Sequence, residues 1–595
     1  MPALDSPVHS PHSSAHRRWV VAVLVMTAGA WPFLFDGFQP AFLSLGPLGP
    51  EWLAVFVLIV AAVAWVPPIA GPMDRMLIRL AAAIESRPIV HSFFAAIGCT
   101  AYLALTAWGQ RRKCFPIMQD EFSYLIQAHQ FASGHLWMPG HPLADFFDSF
   151  QLLVKPVYAS AYFPGTALLY VPGIWLHLPA YWTSLAIAGA VAGLFFWIMV
   201  GAVGGLQGWL AMLLLLSNSL YRQLSIMTLA QLPLLLYALS AVVAWMRWRI
   251  SGGRKSAVMI GMFLGLAAVT RPVDALCFAM PIGVAMLLQR QRQQIVVVIA
   301  GVAPFVCLQL ILNHGITGRW TETPFRLYAD RDYPGMAYGF HRFDAAAKPE
   351  SNLEQKRLLY QSYLPIIRDH RLGAVLKDLF PGRLRLTLAQ QSPTPYPLLV
   401  LVCPVALLRL TRLRTVLLAS FPLFVVLYAA YVFFLPHYVM VAAPAIILSM
   451  LLGARVLETS SGQFRRLAAV GLTLFIAGEA IAALPQWTVG HSDDAFDAPI
   501  LTAVNEQIRK LGSRRAVILF SFDPKRNLNE EPVYNADVAW PDDAADIRAH
   551  DLGERNQELI QYYKAAQPDR EFYRFNEATL QVEPLGKAKD STTKK

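Results

Sequence analysis

IVHSFFAAIGCTAYLALTAWGQRRKCFPIMQDE, residues 89–121, sets the class of this chain. Residues 89–108 carry no Asp, Glu, Lys or Arg. At about 1.5 Å of rise per residue, a helix over them crosses the roughly 30 Å of hydrocarbon in a bilayer. The basic triplet Arg111-Arg112-Lys113 follows, then a polar, aromatic and proline-containing stretch that holds the pair Asp120-Glu121. A carboxylate pair at the mouth of a membrane segment has three physical explanations: catalysis, metal binding, or a solvated helix start.

Working outward, the same apolar character recurs near 50–66 and 19–35 on one side. On the other side it recurs near 181–203, 209–222, 225–245, 257–270, 273–288, 295–313, 393–408, 415–434, 437–454 and 467–485. A shorter apolar stretch, 163–178, fits an interfacial helix better than a full span. The 595 residues are 55% hydrophobic and only 15% charged, against about 25% charged in soluble domains. The segments are near-continuous in Leu, Ala, Val, Ile and Phe rather than alternating, which excludes porin-type strands. The expected fold is therefore an all-α polytopic membrane protein of about 12–14 transmembrane helices, followed by a small soluble C-terminal α/β domain.

A net charge of +11 does not indicate nucleic acid, because the basic residues collect in short loops between apolar runs. Arg17-Arg18, Arg247 to Lys255, Arg290 and Arg292, Arg409 to Arg414 and Arg465-Arg466 mark cytoplasmic loops beside anionic lipid headgroups. Residues 1–18 read as a disordered cytoplasmic N-terminus, and 19–88 as two extra helices with their loop. Residues 89–485 read as the main membrane domain, with outer loops at 109–180 and 314–392. Counting spans places the soluble domain, 486–595, on the outer side as well. Within it, PILTAVNEQIRKL (499–511) has helical spacing and RAVILFSF (515–522) reads as a strand. The five cysteines show no close metal-ligand spacing and read as small buried hydrophobes.

The first outer loop, KCFPIMQDEFSYLIQAHQFASGHLWMPG (113–140), concentrates the candidate chemistry. Phe122, Leu125, Ile126 and Phe131 are roughly helix-spaced after Asp120, so both acidic residues suit a helix's first turn, where the dipole favours them. The triplet Arg111-Arg112-Lys113, on the side that cations usually avoid, suits an anion nearby. Glu121 with His129, His135 and His141 offers weak metal-ligand candidates, with no tight motif, so no cofactor is firmly implied and a divalent metal stays open. In the second outer loop, His314, Glu322, Arg326, Asp330, Arg331, Asp332 and His341 lie among aromatics, a mixture that suits a cover over a carbohydrate site.

The order Asp120-Glu121, Tyr124, Gly134-His135-Leu136-Trp137, Lys155-Pro156 and the aromatic-proline turn Tyr162-Phe163-Pro164-Gly165 resembles the first outer loop of the GT-C superfamily. Within it the likeness is to aminoarabinose lipid A transferases and protein O-mannosyltransferases, which use polyprenyl-phosphate sugars. Val157 stands where the family pattern has a second proline. GLAAVTRPVD (265–274) and PHYVMVAAPA (436–445) resemble two further family segments, with His437 in place of the usual Arg. The resemblance spans residues 89–454. It implies inverting transfer of a sugar from a polyprenyl-phosphate donor to a glycan, lipid or protein acceptor. The setting would be the outer face of the bacterial cytoplasmic membrane, among membrane lipids and without nucleic acid. It also implies Asp120 as the base, Glu121 orienting the acceptor or a metal, and Lys155, Arg271, Tyr124, His437 and Tyr438 around the lipid phosphate. Asp274 reads as a partner for Arg271. The alternatives are a polytopic transporter for a lipid-linked or small polar substrate, and a scaffolding subunit acting through residues 486–595.

Overall fold

The computed structural model describes residues 67–290, 292–391, 400, 402–461, 465–482, 498–512 and 515–585. The apolar segments at 19–35 and 50–66, and half of the one at 393–408, lie outside the described residues. The membrane part runs α1 (Pro67–Ser86), α2 (Pro88–Gly109), α4 (Gly165–Trp175), α5 (Ala180–Val203), α6 (Gly205–Ser217) and α7 (Ser219–Leu224). It continues through α8 (Gln231–Ser251), α9 (Arg254–Ala268), α10 (Pro272–Leu288), α11 (Arg292–Thr317), α14 (Arg412–Ala429), α15 (Ala443–Ser460) and α16 (Arg465–Ala482). Among the described residues six helical stretches are long and apolar enough to cross a membrane: α2, α5, α8, α11, α14 and 436–460. The chain is thus an all-α multi-pass membrane protein with a small C-terminal domain built on a sheet.

That count covers the described residues alone, and several of the expected apolar segments within them form helices shorter than a full span. The long run over 257–288 divides at Arg271-Pro272, because a residue before proline is held out of the helical region; Arg271 sits at φ −149° and ψ 93°. Pro272 then opens α10, its missing N–H costing nothing in a helix's first turn. The stretch at 163–178 becomes α4, whose 11 residues rise only about 16 Å, too short to span. Where helices do pack, small residues let backbones approach: a Cβ at Gly261 of α9 would lie 2.1 Å from the Val298 carbonyl of α11. None of the five cysteines is in a disulfide; Cys99 and Cys277 are buried as expected, whereas Cys114 and Cys307 are exposed.

Three further parts of the chain lie apart from the long apolar helices. In the first outer loop, α3 (Gln119–Ala132) packs beside a small antiparallel sheet of β1 (Met138–Pro139), β2 (Leu152–Leu153) and β3 (Val157–Ser160), in the order β1-β3-β2. The second outer loop contributes α12 (Pro324–Asp332) and α13 (Glu354–Asp369). The C-terminal domain holds α17 (Pro499–Leu511), β4 (Ala516–Ser521), β5 (Ile547–His550), α18 (Asn556–Ala566), β6 (Glu571–Asn576) and β7 (Gln581–Pro584). Its sheet order is β5-β4-β6-β7, parallel except for β7. The helix and first strand fall where the sequence pattern places them.

That domain docks on the first outer loop. Tyr534 stacks on Phe122 with centroids 4.5 Å apart, and its hydroxyl donates to the Phe150 carbonyl at 2.8 Å. Arg555 pairs with Asp145 at 3.0 Å, and His141 Nε2 meets Asp542 Oδ1 at 3.0 Å. The loop and the domain therefore share one side of the membrane bundle. A buried ionic node ties in the second loop: Lys356 Nζ lies 2.8 Å from Asp148 Oδ1 and 2.7 Å from Asp332 Oδ2. Ser351 donates to Asp148 Oδ2 at 2.6 Å, and His550 Nε2 to the Asp148 carbonyl at 2.6 Å.

Candidate active site

A cavity of about 850 Å³ opens where the outer loops meet the membrane helices. The start of α3 brings Asp120 and Tyr124; the aromatic-proline turn brings Tyr162 and Phe163. The break between α9 and α10 brings Arg271 and Asp274, and the 3-10 turn Pro436–Ala442 brings His437 and Tyr438. Close backbone approach makes the second of these junctions. The Gly165 N–H donates to the Val269 carbonyl at 2.7 Å, and a Cβ at Gly165 would lie 2.1 Å from Thr270 Oγ1. Only glycine lets the turn carrying Tyr162 press against the break that carries Arg271.

Asp120 and Glu121 part company on α3, since successive helical residues point about 100° apart. Asp120 faces the cavity, where Tyr162 hydrogen-bonds its carboxylate. Burial raises its pKa above the ordinary carboxylate value, while that hydrogen bond and the Arg271 charge pull the other way. Glu121 faces inward and is buried. Its Oε1 accepts from the Ile117 and Met118 N–H groups at 3.0 and 3.1 Å, and its Oε2 accepts from the Thr228 N–H at 2.8 Å. Burial pushes its pKa up to about 7 against those three donors. Glu121 thus fastens the start of α3 to the membrane bundle, and both its oxygens are engaged.

Across the cavity a compact polar cluster forms around Arg271. Its Nε engages Asp274 Oδ2, its second terminal nitrogen donates to the Tyr428 hydroxyl at 2.7 Å, and the guanidinium lies 4.8 Å from the Tyr438 ring centroid. Tyr428 in turn donates to Asp274 Oδ2 at 3.0 Å. His437 is buried against Tyr438, and its Nε2 has no hydrogen-bond partner. Between the two polar poles the walls are aromatic: Tyr124 stacks on Tyr162 at 4.6 Å, and Tyr162 on Phe325 at 6.1 Å. Flat ring faces flanked by hydroxyls suit the apolar face and polar edge of a sugar ring. A partly buried acid and a partly buried guanidinium thus share the wall of one cavity.

No family model and no curated protein matches the chain. Among solved structures it is similar to the crystal structure of ArnT from Cupriavidus metallidurans in the apo state. That likeness has 13% identity and a TM-score of 0.41, covering 82% of this chain and 93% of that one. It is also similar to the same protein bound to undecaprenyl phosphate, at 11% identity and a TM-score of 0.39, covering 81% and 88%.

The structure thus gathers Asp120, Tyr124, Arg271, His437 and Tyr438 on one cavity and leaves other sequence candidates elsewhere. The Lys155 side chain is 63% exposed and pairs with Asp145 at 2.6 Å. It does not line the cavity. Arg112 turns away to donate to the Arg222 carbonyl at 2.9 Å, closing the end of α7. His141 has both ring nitrogens engaged, by Asp542 and by the Leu143 N–H, and His135 Nδ1 meets the Ser133 hydroxyl at 3.2 Å. His129 titrates low because it is buried. Among the described residues no group of three or more His, Cys, Asp or Glu is placed to hold a metal ion. Of the second loop's candidates, Arg326 lines the cavity but pairs with Asp330 at 2.5 Å, and Asp332 joins the buried node. His314 stacks on Trp320 at 4.4 Å, Glu322 pairs with Arg319 at 3.4 Å, and His341 Nε2 meets the Tyr338 carbonyl at 3.0 Å. Arg331 donates to the Lys155 carbonyl at 3.1 Å.

Several lining residues escaped sequence reading. Tyr428 and Tyr431 lie at the end of an apolar run, where aromatic residues are expected as interfacial belts. Asn527, Asn529 and Glu530 come from the C-terminal domain. Their loop is held by Gln119, which donates to the Asn529 carbonyl at 3.1 Å, and by Gln355, which donates to the Leu528 and Glu530 carbonyls at 3.0 and 2.9 Å.

Proposed function

We propose that this chain is an inverting, GT-C-type glycosyltransferase. It moves a sugar from a polyprenyl-phosphate donor to a lipid, glycan or protein hydroxyl at the outer face of the cytoplasmic membrane. The observation that carries this reading is the shared cavity itself, with Asp120 at one pole, Arg271 at the other and aromatic faces between. An apolar crevice of about 270 Å³ between α9, α10 and α11 meets the cavity at Pro272. In this reading a prenyl chain lies there, with its phosphate at Arg271.

Asp120 accepts the proton of the acceptor hydroxyl as that oxygen attacks the anomeric carbon. The bond from that carbon to the phosphate oxygen breaks, its electron pair leaves with the phosphate, and Arg271 favours the charge developing there. Displacement in one step inverts the anomeric centre. A retaining route uses two carboxyl groups about 5–5.5 Å apart that both face the sugar, and Glu121 faces away with its oxygens engaged.

The test is Asp120→Asn in purified, reconstituted protein with polyprenyl-phosphate sugar as donor. Transfer is expected to fall by about 10²–10⁴-fold, the usual contribution of a positioned base, with the melting transition retained. Full transfer by that variant would sink the mechanism. Uptake of a polar substrate that survives the substitution would favour a transporter instead.

A further inference from the structure

Arg271 is the less exposed of the two arginines on the cavity wall, and it is already matched by a buried carboxylate. Of the charged residues on the cavity wall, Arg326 is committed to Asp330 at 2.5 Å. Glu530 accepts from the Ile500 and Leu501 N–H groups at 2.9 and 3.2 Å. Asp120 adds a second carboxylate. Arg271, Asp274 and Tyr428 close a triangle in which both side chains contact Asp274 Oδ2. Asp274 is fully buried, lines the cavity, and its other oxygen, Oδ1, has no hydrogen-bond partner. A phosphate arriving at Arg271 would leave two buried anions on one guanidinium, and a buried carboxylate stripped of its counter-charge is driven to take a proton.

We propose that Asp274 occupies Arg271 in place of the donor's phosphate, and that a polyprenyl-linked phosphate displaces it while Asp274 takes up one proton from solvent. The inference rests on the donor-site reading above. The exchange balances: Arg271 stays a cation throughout, its partner changes from the Asp274 carboxylate to one phosphate charge, and the protonated Asp274 is neutral. Asp274 is met by Arg271, by Tyr428 of α14 and by Cys277 on its own helix, while Tyr438 lies against Arg271 and His437 against Tyr438. Tyr124 and Asp120 face this cluster from α3. His437, with its unpartnered Nε2, is the competing proton acceptor.

The experiment is calorimetric titration of the full-length, detergent-solubilised protein with farnesyl phosphate, in buffers of different ionisation enthalpy. The wild type is expected to take up about one proton per ligand, with affinity falling by up to about tenfold per pH unit as pH rises. Asp274→Asn is expected to abolish that uptake, flatten the pH dependence and bind at least about tenfold tighter at pH 8, corresponding to about 1.4 kcal/mol. Tyr428→Phe leaves both charges in place and withdraws one donor from the carboxylate, so it is expected to tighten binding several-fold and serves if the first variant does not fold. Uptake that persists in Asp274→Asn, or disappears in His437→Gln, overturns the assignment. Binding without proton uptake by the wild type overturns the proposal alone. No binding of farnesyl phosphate overturns the donor-site reading and the proposal with it. Inorganic phosphate that matches farnesyl phosphate in affinity and uptake overturns the lipid-borne ligand.

Discussion

One turn of α3 separates two carboxylates by chemistry as well as direction. Asp120 meets the cavity, and burial lifts its pKa. Since a base works only when ionised, the acidic limb of kcat/KM should lie above about pH 4, the ordinary carboxylate range, with activity lost as pH falls through it. Tyr162→Phe removes the hydrogen bond that holds the carboxylate's pKa down, so the limb should move to higher pH. A pH–rate profile unchanged by that substitution would count against Asp120 as the titrating base. Glu121 has the opposite character. Glu121→Gln places an N–H₂ group against backbone N–H donors, so it should cost about 1–3 kcal/mol of stability while leaving the folded fraction competent in transfer. The melting temperature and the specific activity of folded protein separate those two effects.

At the scale of elements, the determining feature is where helices stop. Pro272 and Pro436 interrupt apolar runs, and the chain between them and their preceding helices presents Arg271, His437 and Tyr438 at the cavity. The interruption could be read in the sequence, because proline acts locally on the residue before it. The buried node around Lys356 could not. It joins α12, α13 and the first loop through side chains on separate parts of the chain. Burial alone would raise the pKa of Asp148, but the Lys356 ammonium and the Ser351 hydroxyl outweigh it and hold it low. A depressed acid contributes stability above its unfolded pKa of about 3.9, and that contribution is lost as pH falls through the folded value. Lys356→Met strands two buried carboxylates and should cost about 3–5 kcal/mol. Thermal melting should show it, and the loss should narrow at low pH; a melt within error of wild type would contradict the node's role.

For the whole molecule, the C-terminal domain is a wall of the site. Asn527, Asn529 and Glu530 line the cavity, and Tyr534 anchors the domain on Phe122. Tyr534→Ala removes a buried ring and should cost about 3–5 kcal/mol at this interface. Limited proteolysis between the membrane part and residues 498–585 should accelerate, and transfer should weaken as the cavity wall loosens. Proteolysis at the wild-type rate would show that the stack does not hold the domain.

The membrane class and the helix and strand that open the C-terminal domain were legible in pattern, while the cavity residues Asp120, Tyr124, Arg271, His437 and Tyr438 came from segments that resemble the family. Hydrophobic runs, helix spacing and proline breaks all act over a few residues, so one sequence displays them. Tertiary structure decided that Glu121 binds the Thr228 N–H, that Lys155 pairs outward with Asp145, and that the loop at 527–530 reaches the cavity. Those outcomes depend on which surfaces meet across more than a hundred residues of chain. That meeting is set by packing and charge compensation in three dimensions, for which no short stretch of sequence carries a signal.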